Sequence, residues 1–480
     1  MPTFVETYDQ AMEFLSRRIN YERTAMDRRA ARAIKLERMR ALLSLLENPH
    51  EQCPAVHVAG TKGKGSTAVM IAEMLAAAGY RVGLFTSPHV ATFAERMAVN
   101  GARATQRQIV ALVNRVAPEV ERLDREDEWN APTYFEIATT MAWLFFREQK
   151  TEIDVLEVGL GGRLDSTNVC RPELTVITNI SLDHTQVLGE SLREIAREKA
   201  GIIKPGIPVV SGVQEADARE EILAVAARHS AAVRQLGDDI RYTYHRAVRT
   251  NGSTVPASVD VENPFKKHLA IPLTLAGEHQ AANAALAVTA IDWLNSNGRP
   301  ISEDAVRRGM NAVRWPIRLE VLQQRPQVLV DAAHNPASAR ALAAAVREEF
   351  PADRRILLFA VSRDKDALRI AGELFPLFDE VVLTAFIGNP RAVPADELFA
   401  VTHRLASRSP HIASDPAEAW MKARELAGSN DLILATGSFY LAAEMREIVL
   451  SSETGVSANG VSPVANAHGS PNLLCEQRRT

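Results

Sequence analysis

At 480 residues and 52.6 kDa the chain is too long for one compact core and predicts two or three domains. Its composition, 46% hydrophobic and 24% charged with a mean hydropathy of -0.11, is that of a globular protein, while a net charge of -4 and a pI near 6.3 exclude any global electrostatic case for nucleic acid or an anionic membrane. Cys53, Cys170 and Cys475 show neither metal-ligand spacing nor a disulfide framework, Glu6 and Asp9 break any signal pattern, and no apolar run reaches the length of a membrane span, so a cytoplasmic protein is expected.

In chain order, residues 5–20 and 25–47 carry helical periodicity. The second stretch sets Leu36, Met39, Leu42, Leu43 and Leu46 on an apolar stripe and Arg28, Arg29, Arg32, Lys35, Arg38 and Arg40 largely on a solvated face. From residue 55 strands and helices alternate: Val56-His57-Val58 enters a glycine-rich loop, a helix spans Ser66–Ala78, Gly79 caps it, and Arg81–Phe85 is the next strand. Helices are expected over 105–119 and 134–149. Ile153–Val158 and Leu174–Ile180 run almost continuously apolar, the pattern of buried parallel strands. Residues 208–312 continue with one more α/β pattern, a polar stretch holding Asn251-Gly252, and a helix over Gln280–Asn295. Trp315-Pro316 marks a boundary, beyond which Val328–Val330, Ile356–Phe359, Val381–Thr384 and Leu432–Leu434 are strand candidates of a second α/β domain. The domains expected are therefore 1–312 and 313–451, followed by a Ser-, Gly-, Asn- and Pro-rich tail over 452–480 that has too few apolar residues to pack.

The glycine-rich loop, Gly60-Thr61-Lys62-Gly63-Lys64-Gly65-Ser66, has the makings of a triphosphate site. Glycines let backbone N–H groups converge, Lys64 adds a point charge, and the following helix presents its positive end. The usual spelling places a hydroxyl directly after the lysine to hold Mg²⁺, but here Gly65 intervenes and the hydroxyl arrives one residue late at Ser66. Either Ser66 reaches the ion from a different turn or another side chain does so. Three groups follow at predicted strand ends, where ligands of parallel sheets gather: Thr86-Ser87-Pro88-His89, Glu157 before a glycine-rich segment, and Asp183-His184. Ser87 is a candidate for the missing hydroxyl, since Mg²⁺ takes oxygen ligands. Lys199 sits near a helix end and nothing in the residues alone singles it out.

Taken with Glu95-Arg96, Phe135-Glu136, Gly159-Leu160-Gly161-Gly162-Arg163-Leu164-Asp165, Arg197-Glu198-Lys199-Ala200-Gly201, His279-Gln280, Asn283, Trp315-Pro316, Arg318-Leu319-Glu320 and Asp331-Ala332-Ala333-His334-Asn335-Pro336, these motifs resemble bacterial folylpolyglutamate synthase/dihydrofolate synthase, a group of the Mur ligase-like superfamily. The resemblance spans residues 5–450. It implies an α/β protein with a mostly parallel, P-loop amino-terminal domain, a smaller Rossmann-like α/β carboxy-terminal domain, and an active site in the cleft between them. It implies ATP and two Mg²⁺ ions as cofactors, with Gly60, Thr61, Lys62, Gly63, Lys64, Gly65 and Ser66 around the phosphates. Asn283, Arg318 and Asp331 are implied ATP contacts, and His334 is implied to position the nucleotide or the closed domain. Ser87, Glu157 and His184 are implied metal ligands, and Lys199 an N-carboxylated lysine near the second ion. Lys64, His184 and Lys199 are thus the expected catalytic residues, and Thr133, Tyr134, Phe135, Glu136, Leu164, Asp165 and Ser166 the expected pterin-side residues.

The implied reaction joins L-glutamate to dihydropteroate and to reduced folates through an acyl phosphate, releasing ADP and phosphate; the implied partners are those small molecules, and a monomer is expected. Polyglutamylation alone, ligation of a cell-wall precursor, or a nucleotide-switched binding protein are the alternatives. Three positions depart from the family: Lys62 stands in place of asparagine, Ile317 in place of the glycine before Arg318, and Ala332 in place of the glycine after Asp331. A positive φ at Ala332 would carry a penalty of about 1 kcal/mol.

Overall fold

The computed structural model describes residues 4–23, 36–126, 131–250 and 253–453. The expectations for Arg28, Arg29, Arg32 and Lys35, for Asn251-Gly252, and for the tail beyond Glu453 lie outside the described residues.

The amino-terminal sheet has eight strands: β1 (Ala55–Ala59), β2 (Val82–Phe85), β3 (Met97–Val99), β4 (Ala102–Arg103), β5 (Ile153–Glu157), β6 (Pro172–Ile177), β7 (Val209–Ser211) and β8 (Val233–Gln235). Their order is β4-β3-β2-β5-β1-β6-β7-β8, parallel except where β3 joins β2 and β4. β1 is central, with Val58 opposite Glu157 on one side and Val176 on the other. β1 and β5 are buried at every position because helices cover both faces of the sheet, which is why they read as unbroken apolar runs. One face holds the helix Lys64–Ala77, itself covered by Glu278–Ser296 and Glu303–Ala312; the other holds Gln106–Glu126 and Tyr134–Gln149.

Helix ends moved where side chains decide them. The first helix is confined to Tyr8–Ser16, started by a Thr7–Gln10 capping box. Gln106–Glu126 runs through Pro118 and past the expected end, because Val120 and Leu123 extend its buried stripe. The α/β pattern expected after residue 208 is β7, the helix Ala216–Arg228 and β8, and the polar stretch beyond it holds strands that were not expected: β9 (Arg241–His245), β10 (Val248–Thr250), β11 (Ser253–Val255), β12 (Ser258–Glu262) and β13 (Lys267–Pro272) form a small antiparallel sheet, β13-β12-β9, and a hairpin. Alternation explains it, since Val259, Val261 and Ile271 pack inward while their neighbours stay solvated.

The carboxy-terminal sheet is separate: β14 (Glu320–Gln324), β15 (Gln327–Val330), β16 (Arg355–Phe359), β17 (Glu380–Leu383), β18 (His411–Ile412) and β19 (Leu432–Thr436), in the order β14-β15-β19-β16-β17-β18. Only β14–β15 is antiparallel, and its two faces carry their own cores. The edge strands β14 and β18 lack the apolar run of the other four and were not expected. No described helix is long and apolar enough to cross a membrane. A cleft of about 1650 Å³ is lined by residues following the carboxyl ends of strands in both sheets.

Candidate active site

The loop after β1 is anchored through its backbone. Thr61 donates its N–H to the Asn179 carbonyl (2.8 Å) and its hydroxyl to Ser181 O (3.2 Å), while Thr178 Oγ1 donates to the Lys62 carbonyl (2.6 Å). Gly63, the N-cap of the following helix, has φ 81°, and a Cβ there would lie 2.3 Å from Asn283 Oδ1. Asn283 is thereby placed directly against the loop. Gly65 has no room for a side chain either: a Cβ would stand 2.8 Å from Trp315 Cζ2 and 3.3 Å from Glu157 Oε2. The hydroxyl absent after Lys64 is therefore excluded by packing.

Ser87 follows β2 and Glu157 ends β5, and parallel pairing of those strands brings them together, the Ser87 N–H donating to Glu157 Oε2 at 3.1 Å. Burial pushes the Glu157 carboxyl up, and Lys64 with the Ser87 N–H draws it back. Among the described residues no three His, Cys, Asp or Glu side chains are grouped to hold an ion. A hydroxyl and a single carboxylate lining one cleft nevertheless fit a hard divalent ion that completes its shell with phosphate oxygens.

Lys199, near the end of the helix Leu192–Ala200, is buried, and its Nζ donates to Gly60 O at 2.9 Å. Burial, reinforced by Lys64, pushes its ammonium down to about 7. His184 lies in the left-handed region at φ 49°. It faces the cavity, with 39% of its side chain accessible, yet the enclosing protein removes enough water to push the ring down to about 3.

Asp183 is where the two domains meet. Lys62 Nζ donates to its Oδ2 at 2.9 Å, Lys365 Nζ to its Oδ1 at 2.8 Å, and Asn335 Nδ2 to Oδ2 at 3.3 Å. Against the burial that would raise it, Lys62 and its other donors hold the Asp183 carboxyl well below the usual carboxylate range. Lys62 also contacts His334 Nε2; burial pushes Lys62 down to about 8 and His334 down to about 4.

Asp331 accepts from the N–H groups of Leu319 (2.9 Å) and Ala333 (2.8 Å); burial raises its carboxyl, and Arg318 opposes this. The left-handed residues are Ile317 (φ 52°) and Leu319 (φ 47°), on either side of Arg318. Ala332 has no positive φ, so the strain falls at the other departure, Ile317.

On the pterin side, Thr133 caps the helix Tyr134–Gln149, with its N–H and hydroxyl donating to Glu136 Oε2 at 2.8 and 2.7 Å. Thr133, Phe135, Glu136, Leu164, Asp165 and Ser166 line the cleft. Phe135 lies so close beneath Gly159 that a Cβ there would be 2.5 Å from the ring. Tyr134 does not line the cleft, which corrects that expectation: one step along the helix turns its ring to Phe93 and to Arg96, whose Cζ is 5.2 Å away. Asp165 is largely committed to the protein, accepting from Leu160 N (2.9 Å), Thr167 N (3.0 Å) and Thr167 Oγ1 (2.5 Å).

Arg38 is a second correction. Rather than facing solvent, it is 11% exposed and donates through Nε to both Glu136 oxygens at 2.8 and 2.9 Å. Helical spacing placed it on the polar face, and only the buried carboxylate 98 residues away reveals its position. The cleft also takes Asn20, Tyr21, Glu22, Lys365, Arg391 and Tyr440, none of which carries a motif.

The middle-domain model of Mur ligases matches residues 58–291, and the Mur ligase, glutamate ligase domain model matches 317–439. The dihydrofolate synthase/folylpolyglutamate synthase of Bacillus subtilis is 39% identical over 416 residues, covering 86% of this chain and 94% of that protein. Among solved structures, Mycobacterium tuberculosis folylpolyglutamate synthase complexed with ADP and AMPPCP matches with a TM-score of 0.83 at 33% identity over 92% of this chain and 98% of that one. E. coli FolC in complex with DHPP and ADP matches with a TM-score of 0.81 at 28% identity over 94% and 100%. The chain belongs to the dihydrofolate synthase/folylpolyglutamate synthase family of Mur ligases.

Proposed function

We propose that this enzyme is an ATP-dependent carboxylate–amine ligase that adds L-glutamate both to dihydropteroate and to reduced folates. The observation that carries the reading is the single cleft in which a phosphate loop, the Ser87–Glu157 pair, Lys199 and the Arg38–Glu136 wall converge from the amino-terminal domain, facing Asp331, His334 and Lys365 from the other.

A carboxylate repels an incoming amine and has no good leaving group. Its oxygen therefore attacks the γ-phosphorus of ATP, the bond to the β-phosphate oxygen breaks, and ADP leaves an acyl phosphate behind. The glutamate amine then attacks the acyl carbon, loses a proton, and expels phosphate. The chain's contribution is positioning and charge: Gly60–Ser66 surround the phosphates, Lys64 offsets negative charge on the transferred group, and Asn283, Arg318, Asp331 and His334 hold the nucleotide. Thr133, Phe135, Glu136, Leu164, Asp165 and Ser166 form the pterin side, and the facing domain keeps water from the activated acyl group. Ser87, Glu157 and His184 would hold Mg²⁺, which supplies neutralisation of phosphate charge when bound. Lys199, already low in its ammonium range, adds CO₂ at Nζ with loss of a proton, giving a carbamate suited to a second ion; ¹³C NMR under ¹³CO₂ would show that carbon, and its absence would leave Lys199 a lysine hydrogen-bonded to the loop.

The test pairs dihydropteroate with tetrahydrofolate in a glutamate-dependent ADP-release assay. Turnover of both is expected, and loss of the dihydropteroate reaction alone would leave a folylpolyglutamate synthase. Ser87→Ala should cut Mg-ATP turnover about 100-fold, whereas unchanged Mg²⁺ dependence would return the metal role to Ser66. We divide the chain at 312–313, which the two family matches, ending at 291 and starting at 317, support. One cleft built by both domains of one chain suits a monomer working in the cytoplasm, and a dimer in light scattering would overturn that.

A further inference from the structure

Lys62 differs from the rest of the phosphate loop in having its backbone in one domain and its side chain tied to the other. Its N–H donates to Asn179 Oδ1 at 2.9 Å and its carbonyl accepts from Thr178 Oγ1 at 2.6 Å, so the main chain is fixed to the amino-terminal sheet. Its Nζ reaches His334 of the carboxy-terminal domain and Asp183 of its own domain, and Asp183 in turn takes Lys365 and Asn335 from the carboxy-terminal domain.

The direction of the His334 contact is settled by the other ring nitrogen. Nδ1 lies 2.8 Å from the Ala332 carbonyl and must donate to it, leaving Nε2 as an acceptor for the Lys62 ammonium. His334 is no free rotor: its backbone N–H and that of Asn335 both donate to Ser338 Oγ, at 3.2 and 3.1 Å, in the turn that starts the helix Pro336–Glu349. An ammonium has three donors. Asp183 and His334 take two, and a third remains for an anion in the loop. Two lysines around one carboxylate also leave a surplus positive charge for that anion.

We propose that Lys62 is a positioning residue that couples occupancy of the phosphate loop to the placement of the carboxy-terminal wall of the cleft, through His334 and Asp183. This rests on the ligase reading. A nucleotide phosphate engaging Lys62 orients the His334–Asn335 turn, and the amino-acid co-substrate that enters afterwards meets a wall already in place. Nucleotide and glutamate therefore bind with positive coupling, and Lys62 carries that coupling.

Steady-state kinetics and ADP calorimetry on the full chain test this. Lys62→Met should weaken ADP, whose phosphate it engages, and in addition raise the glutamate KM about tenfold at saturating nucleotide, and Lys365→Met, which loosens the same carboxylate from the opposite domain, should raise the glutamate KM in the same direction. The double variant should fall short of the sum of the singles, because both lysines act through Asp183. Thermal melts report folding, and if Lys62→Met does not fold, Lys62→Arg should fold and keep the glutamate KM within about threefold of the parent. A weakened ADP affinity with an unmoved glutamate KM would make Lys62 a simple phosphate ligand and overturn the coupling, as would additive singles. If the parent enzyme itself releases no ADP with glutamate and either pteroate or folate, the ligase reading fails first and the coupling falls with it.

Discussion

Two of the places where the domains meet are built from opposite materials. At the nucleotide end the contact is charge on charge: Asp183 between Lys62 and Lys365, beside Asn335. At the other end the Glu22 main-chain carbonyl accepts from Arg391 (2.8 Å), Tyr440 (2.9 Å) and Asn389 (3.4 Å), while its carboxylate turns inward to the fully buried Arg96, at 2.9 and 2.5 Å. An anion entering the cleft competes directly with Asp183 for its lysines, but it cannot displace a neutral carbonyl in the same way. One junction is suited to respond and the other to stay.

Breaking each carboxylate should expose this difference. Glu22→Ala leaves the Arg96 guanidinium buried with its ionic partner gone, so urea unfolding should show a loss of about 3–5 kcal/mol, the range for stripping one partner from a buried pair. A smaller loss would mean that His89 Nδ1, which accepts from Arg96 Nε at 2.9 Å, satisfies it. Asp183→Asn should do the reverse, lowering kcat/KM about 100-fold, equivalent to about 2.7 kcal/mol, with a stability loss of about 1 kcal/mol because its lysines line a cleft that water can enter. Its carboxyl is depressed on folding, so its contribution to stability is complete above the unfolded value near about 3.9 and disappears as pH falls through the lower folded value; the parent–variant difference in melting temperature should shrink only below about pH 4.

Asp154, outside both junctions, is the control with the opposite sign. Burial pushes its carboxyl up to about 7, so between about pH 4 and 7 the folded state binds more protons than the unfolded one and stability falls as pH rises. Asp154→Asn should therefore gain about 4 kcal/mol on the parent between pH 4 and pH 8. The smallest effect belongs to the covalent connection. Ile317 is fully buried yet left-handed, so Ile317→Gly should be more stable than Ile317→Ala by about 1 kcal/mol, inverting the usual order; equal melting temperatures would show the backbone there to be unstrained.

Much of the nucleotide side was legible because parallel strands deliver their chemistry at one end: the loop, Ser87, Glu157 and Asp183 each follow an apolar run. The second junction was not, because Glu22 and Arg96 are 74 residues apart and sit in no repeating pattern. Arg38 was misread for the same reason, since helical spacing specifies a face but not what comes to cover it. The β9, β12 and β13 strands were hidden by half-burial: Tyr242 and Tyr244 alternate with polar residues that a composition-based reading takes for a loop. Tyr134 shows a finer limit, in that adjacent residues of one motif point to different surroundings.

The crowding around Gly65 has a consequence for how a metal would be placed. With Trp315 and Glu157 filling the space after Lys64, no hydroxyl can stand directly after that lysine. On the proposed assignment the hydroxyl ligand comes from Ser87, whose height beside Glu157 is fixed by the pairing of Phe85 with Leu156. The sheet then serves as a ruler: the loop locates the phosphates, the β2–β5 register locates the ion, and the two can be adjusted independently. Restoring the common spelling with Gly65→Ser would push against Trp315, the residue just before the domain connection, rather than supply a spare ligand.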